Sequence, residues 1–116
     1  MEEFMVGDRV VVRTVDEMLE SGLFHDNDTY GEIILNATYN DLDYAFNKRM
    51  QYLCGQTGVI SQIINRRRTE IKIEFDDLSI TLERDDGDTW YISPGMIKHE
   101  EPVMSDEDLA SFLNEF

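Results

Sequence analysis

Carboxylates are the residues of this chain most obviously arranged for chemistry. Asp76 and Asp77 are followed by Asp85, Asp86 and Asp88, and Glu100 and Glu101 by Asp106, Glu107 and Asp108. Such groups attract basic surfaces and repel nucleic acid and anionic membranes. The first five are the expected partner-binding face, and the second group is a further one. Arg66, Arg67 and Arg68 form the one basic run, suited to phosphate or to an acidic protein surface. Paired carboxylates also act as general acid and base in glycoside hydrolysis, but among 25 acidic residues pairs arise by composition alone. His25 and His99 stand apart, so neither a nucleophilic triad nor a zinc spacing is present, and the lone Cys54 beside Leu53 reads as a small buried filler. Residues 26–31, Asp-Asn-Asp-Thr-Tyr-Gly, resemble the start of a calcium loop, yet Tyr30 and Ala37 stand at the fifth and twelfth positions, where ligands are required. No catalytic residue, metal or cofactor is therefore expected.

The elements that must carry these groups are short. Val10 and Val12 alternate with Val11 and Arg13, which predicts a strand over 9–13. Thr14 stands three residues before Glu17, a capping-box spacing, and Gly22 offers a left-handed stop, so a helix is expected over 15–21. The pattern weakens from Leu23 to Tyr39, although Glu32 to Leu35 could add a strand. Leu42, Phe46, Met50 and Leu53 recur at spacings of four, four and three, which predicts a second helix capped by Asn40 and closed by Gly55.

The β-branched runs Val59–Ile64 and Ile71–Phe75 predict a hairpin with the three arginines at its tip, burying Ile71, Ile73 and Phe75 and wetting Lys72 and Glu74. Ile80–Glu83 and Thr89–Ile92 predict another, in which Asp86-Gly87 favours a type I′ turn. Trp90 and Tyr91 alternate, so one enters the core and the other faces out; which does so is open. After Pro94 and Gly95, Met96 and Ile97 return to close a small barrel of five or six short antiparallel strands. A C-terminal amphipathic helix over 105–116 follows from Leu109, Phe112, Leu113 and Phe116 at i, i+3, i+4 and i+7. The fold class is mainly β (α+β), one domain over 1–116, with the barrel core at 4–98 and a helical and loop insertion at 14–55.

Ten basic side chains against 25 acidic ones leave a formal charge of -15. Residues 101–116 alone carry five acids and no base. Spread evenly, this is roughly one net charge per 430 Å², whereas duplex DNA carries roughly one per 100 Å², so imitation of a phosphate chain requires clustering. The start Met1-Glu2-Glu3 lacks the basic and apolar stretches of a secretion signal, and no apolar run is long enough to span a bilayer. A cytoplasmic location without membrane contact is expected.

Val6-Gly7-Asp8-Arg9-Val10, Met50 with Leu53-Cys54-Gly55, Gly58-Val59-Ile60, Phe75-Asp76-Asp77, and Trp90-Tyr91-Ile92-Ser93 with Met96-Ile97 together resemble small phage and prophage proteins with an SH3-like barrel. The resemblance covers roughly residues 4–98. It implies a mobile-element origin and, by analogy of class, an inhibitor of host defence nucleases of the anti-CRISPR or anti-restriction kind. The implied partner is a basic host protein or ribonucleoprotein, a nuclease complex, with no direct binding of nucleic acid. The competing expectation is a protein-interaction module that uses the barrel face or the C-terminal helix.

Overall fold

The computed structural model describes residues 3–27, 33–37, 45–65, 69–84 and 86–100. Strand β1 (Arg9–Val12) buries Val10 and Val12 and turns Arg9 outward, as its alternation requires. Helix α1 (Val15–Glu20) starts as expected: the Glu17 backbone N–H donates to Thr14 Oγ1 at 3.2 Å and the Thr14 N–H donates to Glu17 Oε1 at 3.2 Å. It ends one turn later, before Gly22 at φ +75°.

The next stretch keeps the strand expected over Glu32–Leu35, which forms over Ile33–Ala37, but otherwise departs from the sequence reading. β2 (Phe24–Asp26), β3 (Ile33–Ala37) and β4 (Phe46–Asn47) form a three-stranded antiparallel sheet in that order, with Leu35 opposite Phe46. The expected second helix is replaced by β4 and a 3-10 segment over Lys48–Leu53, capped by Asn47, whose side chain accepts from the Arg49 N–H at 2.9 Å. The physical reason is that i,i+3 spacing is common to both helix types: Met50 and Leu53 reach the core from the tighter turn, while Phe46 is drawn into the sheet. The expected cap Asn40 lies outside the described residues. His25, in the stretch where the sequence pattern weakens, is an exposed residue of β2.

The second sheet is the larger. β5 (Thr57–Asn65) and β6 (Thr69–Phe75) form the expected hairpin, β5 longer than predicted at both ends and β6 at its start, with a bulge between Ile60 and Gln62. Its arginine tip, 66–68, lies outside the described residues. At Gly58 a Cβ would stand 2.4 Å from the Glu74 carbonyl oxygen and 2.9 Å from the Phe75 Cα, so only glycine allows the two strands this approach. Ile71, Ile73 and Phe75 are buried as expected. β7 (Ile97–His99) pairs with β1, giving the antiparallel order β6-β5-β1-β7. Two antiparallel sheets of four and three strands thus make a mainly β fold with few short helices, and no closed barrel forms among the described residues.

Between β6 and β7 the expected second hairpin is reduced to an isolated bridge, Glu83 with Thr89, and a Trp90 N–H bond to the Leu82 carbonyl at 2.8 Å. Its turn is not type I′, which needs positive φ at both central residues: of Asp86 and Gly87, only the glycine has it, at +85°. Instead the Gly87 N–H donates to the Arg84 carbonyl at 3.0 Å and the Arg84 N–H to the Asp88 carbonyl at 2.7 Å, a looser connection ending on a left-handed glycine. Trp90 is the inward aromatic, at 8% exposure, and Tyr91 the outward one, at 43%. The Ile71 N–H then bonds the Ile92 carbonyl at 2.8 Å, and a 3-10 turn over Pro94–Met96 leads into β7.

One apolar cluster joins both sheets, running from Val10, Val12 and Ile60 through Met18 to Leu35 and Phe46. Each such side chain contributes about 1.5–3 kcal/mol by leaving water. No helix among the described residues is long and apolar enough to cross a membrane. The expected C-terminal helix lies outside them.

Candidate functional site

The outer face of the four-stranded sheet carries charge in rows, set by strand register. Glu74 stands opposite Val59, Val59 opposite Arg9, and the Glu100 N–H donates to the Arg9 carbonyl at 3.1 Å. In the next row Val11 stands opposite both Thr57 and Lys98, and the Asp76 N–H donates to the Thr57 carbonyl at 2.9 Å. Arg9 therefore sits between the two acidic clusters. Its Nη2 lies 2.5 Å from Asp76 Oδ2 and its Nε 2.7 Å from Glu100 Oε2, so members of both groups meet at one guanidinium. Arg9 holds the Asp76 carboxyl below its usual range, and the Thr57 hydroxyl, donating at 2.7 Å, adds to this. The Lys98 ammonium pairs with Glu17 from α1 and lowers that carboxyl too. Cation and carboxylate alternate across this face.

The remaining acidic candidates hold turns. Asp77 accepts from both the hydroxyl of Ser79 (2.6 Å) and its backbone N–H (3.0 Å), which depresses its pKa. Asp86 accepts the Asp88 N–H at 3.1 Å and pairs with Arg84 at 2.9 Å; Asp88 accepts the Thr89 N–H at 2.8 Å. Asp85, Glu101, Asp106, Glu107, Asp108 and the basic tip Arg66, Arg67 and Arg68 lie outside the described residues. The described residues carry fourteen carboxylates and seven lysines or arginines, a net -7 of the total -15.

His99 and Cys54 have local surroundings. The His99 ring is 3.2 Å from Asp8 and 4.7 Å between centroids from Phe4. A backbone bond from Met5 and then His99 hold Asp8 below its usual range. Cys54 is half-buried against the core, and burial raises its thiol pKa, which disfavours the thiolate. Among the described residues no three His, Cys, Asp or Glu side chains gather to hold a metal ion.

Sequence reasoning missed a surface cavity of about 540 Å³. Arg49 and Tyr52 reach it from the 3-10 segment, Thr81 and Glu83 from the chain after β6, and Arg84 and Trp90 from the two arms of the turn. The Tyr52 hydroxyl donates to the Thr81 carbonyl at 2.8 Å and ties the walls together. Arg84 lies over the Trp90 ring, 4.6 Å from its centroid. The only linear signal for this site was the arginine opening the acidic turn, because its other wall lies some thirty residues upstream. Comparison with known proteins finds no matching family model, no matching curated protein and no matching solved structure.

Proposed function

We propose that this is a non-enzymatic, acidic binding protein of phage type that occupies the basic groove where a host defence nuclease or its ribonucleoprotein complex holds nucleic acid. The observation that carries the reading is the excess of 25 acidic over 10 basic groups, with Asp76 and Glu100 from separate clusters meeting at Arg9. The internal ion pairs lower the charge of this face, so a partner's arginines must replace them. Arg9 and Asp76 are each nearly half exposed, and such solvent-screened pairs exchange readily for a partner's arginines. The net charge also steers association at long range, giving fast binding that slows with salt. Asp76, Asp77, Asp85, Asp86 and Asp88 are the residues assigned to engage the partner, with Glu100, Glu101, Asp106, Glu107 and Asp108 as a second group. The finer fold belongs to the same reading: an SH3-like barrel, supported by the order β6-β5-β1-β7, the Ile71–Ile92 bridge and the 3-10 turn leading into the last strand.

Phage plating on bacteria that carry a restriction or CRISPR system tests this. Expression of the chain should restore plating, and replacing the five aspartates by asparagine should abolish the rescue. Asparagine keeps the oxygen acceptors that Asp77, Asp86 and Asp88 supply to their turns, so the variant removes charge while those turns persist, and cooperative unfolding of the variant checks that the sheets do too. Rescue unchanged by the variant would show that the face is wrongly assigned.

The sign alternation between Glu74, Arg9, Glu100 and Lys98 favours a second reading, a protein-interaction module that meets a partner of complementary mixed charge. On that reading, deletion of 103–116 or reversal of Arg9 and Lys98 abolishes partner binding while the sheets stay folded, and the five asparagines have little effect.

A further inference from the structure

The cavity at Arg84 is built from groups that the acidic-surface reading leaves unused. Arg84 is fixed at its backbone by bonds to Asp88 and Gly87, at one face by Trp90, and at one edge by Asp86. Its side chain is still 31% exposed, and its Nε is buried without a hydrogen-bond partner. The exposed part of a guanidinium held over one ring can stack on another planar group. Arg49 supplies a second positive charge in the lining. The Ser79 hydroxyl is committed to Asp77, but the Thr81 hydroxyl accepts from the Glu83 N–H and so retains its own proton to donate. Glu83 adds a carboxylate able to accept from N–H or O–H groups.

We propose that this cavity binds a nucleoside monophosphate. The base stacks on the exposed part of the Arg84 guanidinium, the phosphate is held by Arg49 and the Thr81 hydroxyl, and Glu83 accepts from the sugar or the base. The volume of about 540 Å³ falls within the range of small-molecule sites. An inorganic oxyanion would leave Glu83 unused, and an apolar ligand would match neither the two guanidinium groups nor the carboxylate of the lining. The site touches the proposed nuclease-binding face through Asp86, which pins Arg84; Arg49, Thr81 and Glu83 are outside that face, so R49Q tests the cavity without altering the face.

Trp90 is the only tryptophan and lies beneath Arg84, so its emission reports on occupancy directly. The test titrates the full chain with AMP, GMP, CMP and UMP, and with adenosine and inorganic phosphate separately, by fluorescence and by calorimetry. The expected result is saturable binding of at least one monophosphate, about tenfold or more tighter than either fragment alone. R84Q and R49Q should each weaken it about tenfold or more while the protein still unfolds cooperatively. Arg49 is an exposed residue, so R49Q keeps the test available should R84Q fail to fold. Absence of calorimetric binding by all four monophosphates, phosphate binding as tightly as the best of them, or unchanged affinity in R49Q would overturn the proposal.

Discussion

Arg9 and Arg84 are both arginines set among carboxylates, yet their surroundings give them different work. Arg9 lies on an open sheet face, gives Nε to Glu100 and both terminal nitrogens to Asp76, and stands nearly half exposed. Its donors are directed at the protein's own acids, so it organises them. Arg84 lies over an aromatic ring at the wall of a cavity and gives one terminal nitrogen to Asp86, while its Nε has no partner. The residue type alone does not distinguish a neutralising group from a recognising one; the number of its donors already engaged, and what covers its face, does.

The sharpest way to break this comparison is to remove the platform under Arg84. Trp90→Ala empties a site with 8% exposure and should cost about 3–5 kcal/mol in urea unfolding. A loss below about 1 kcal/mol would mean that Trp90 is a surface residue in solution and Arg84 has no fixed plane. On the sheet side, Gly58→Ala forces a Cβ against the Glu74 carbonyl and should cost about 1–3 kcal/mol, because β5 and β6 must separate. The same separation disturbs the row through Glu74, Val59 and Arg9 but leaves the Arg84 turn intact. Arg84→Gln, which loses the contact with Trp90 but not the turn, should cost only about 0.5–1 kcal/mol.

How far each region was legible follows from how locally it is specified. β5 and β6 could be read from alternation, since Ile71, Ile73 and Phe75 must all point one way. The α1 start was equally local, its signal lying within Thr14 to Glu17. Phe46, Met50 and Leu53 misled because their spacing suits an α-helix, whereas pairing of Phe46 with Leu35 is a tertiary event. The meeting of Asp76 with Glu100 at Arg9 depends on three strands and is invisible in linear order. The cavity was hidden for the same reason: the bond between Tyr52 and Thr81 joins segments that no motif connects.

The smallest effect sharpens the Arg9 side. Since Arg9 and Thr57 depress the Asp76 pKa in the folded state, their contribution is present above the unfolded value of about 3.9 and is lost as pH falls through the lower folded value. The stability difference between wild type and Asp76→Asn should therefore be alike at pH 7 and pH 5 and begin to close only below about pH 3.9. Glu17, lowered chiefly by Lys98, should behave with the same sign. A gap that widens on acidification would contradict the observed pairing.

The central claim is that the carboxylates displace nucleic acid from a basic groove. Its most direct test is fluorescence anisotropy of a labelled duplex bound to a purified defence nuclease or effector complex, with the chain added at about 50 and about 300 mM salt. The account predicts that anisotropy falls to the value of free duplex at the lower salt and falls much less at the higher, and that the five-asparagine variant displaces little at either. Anisotropy unmoved by excess protein across restriction and CRISPR enzymes, or displacement insensitive to both salt and the variant, would contradict it.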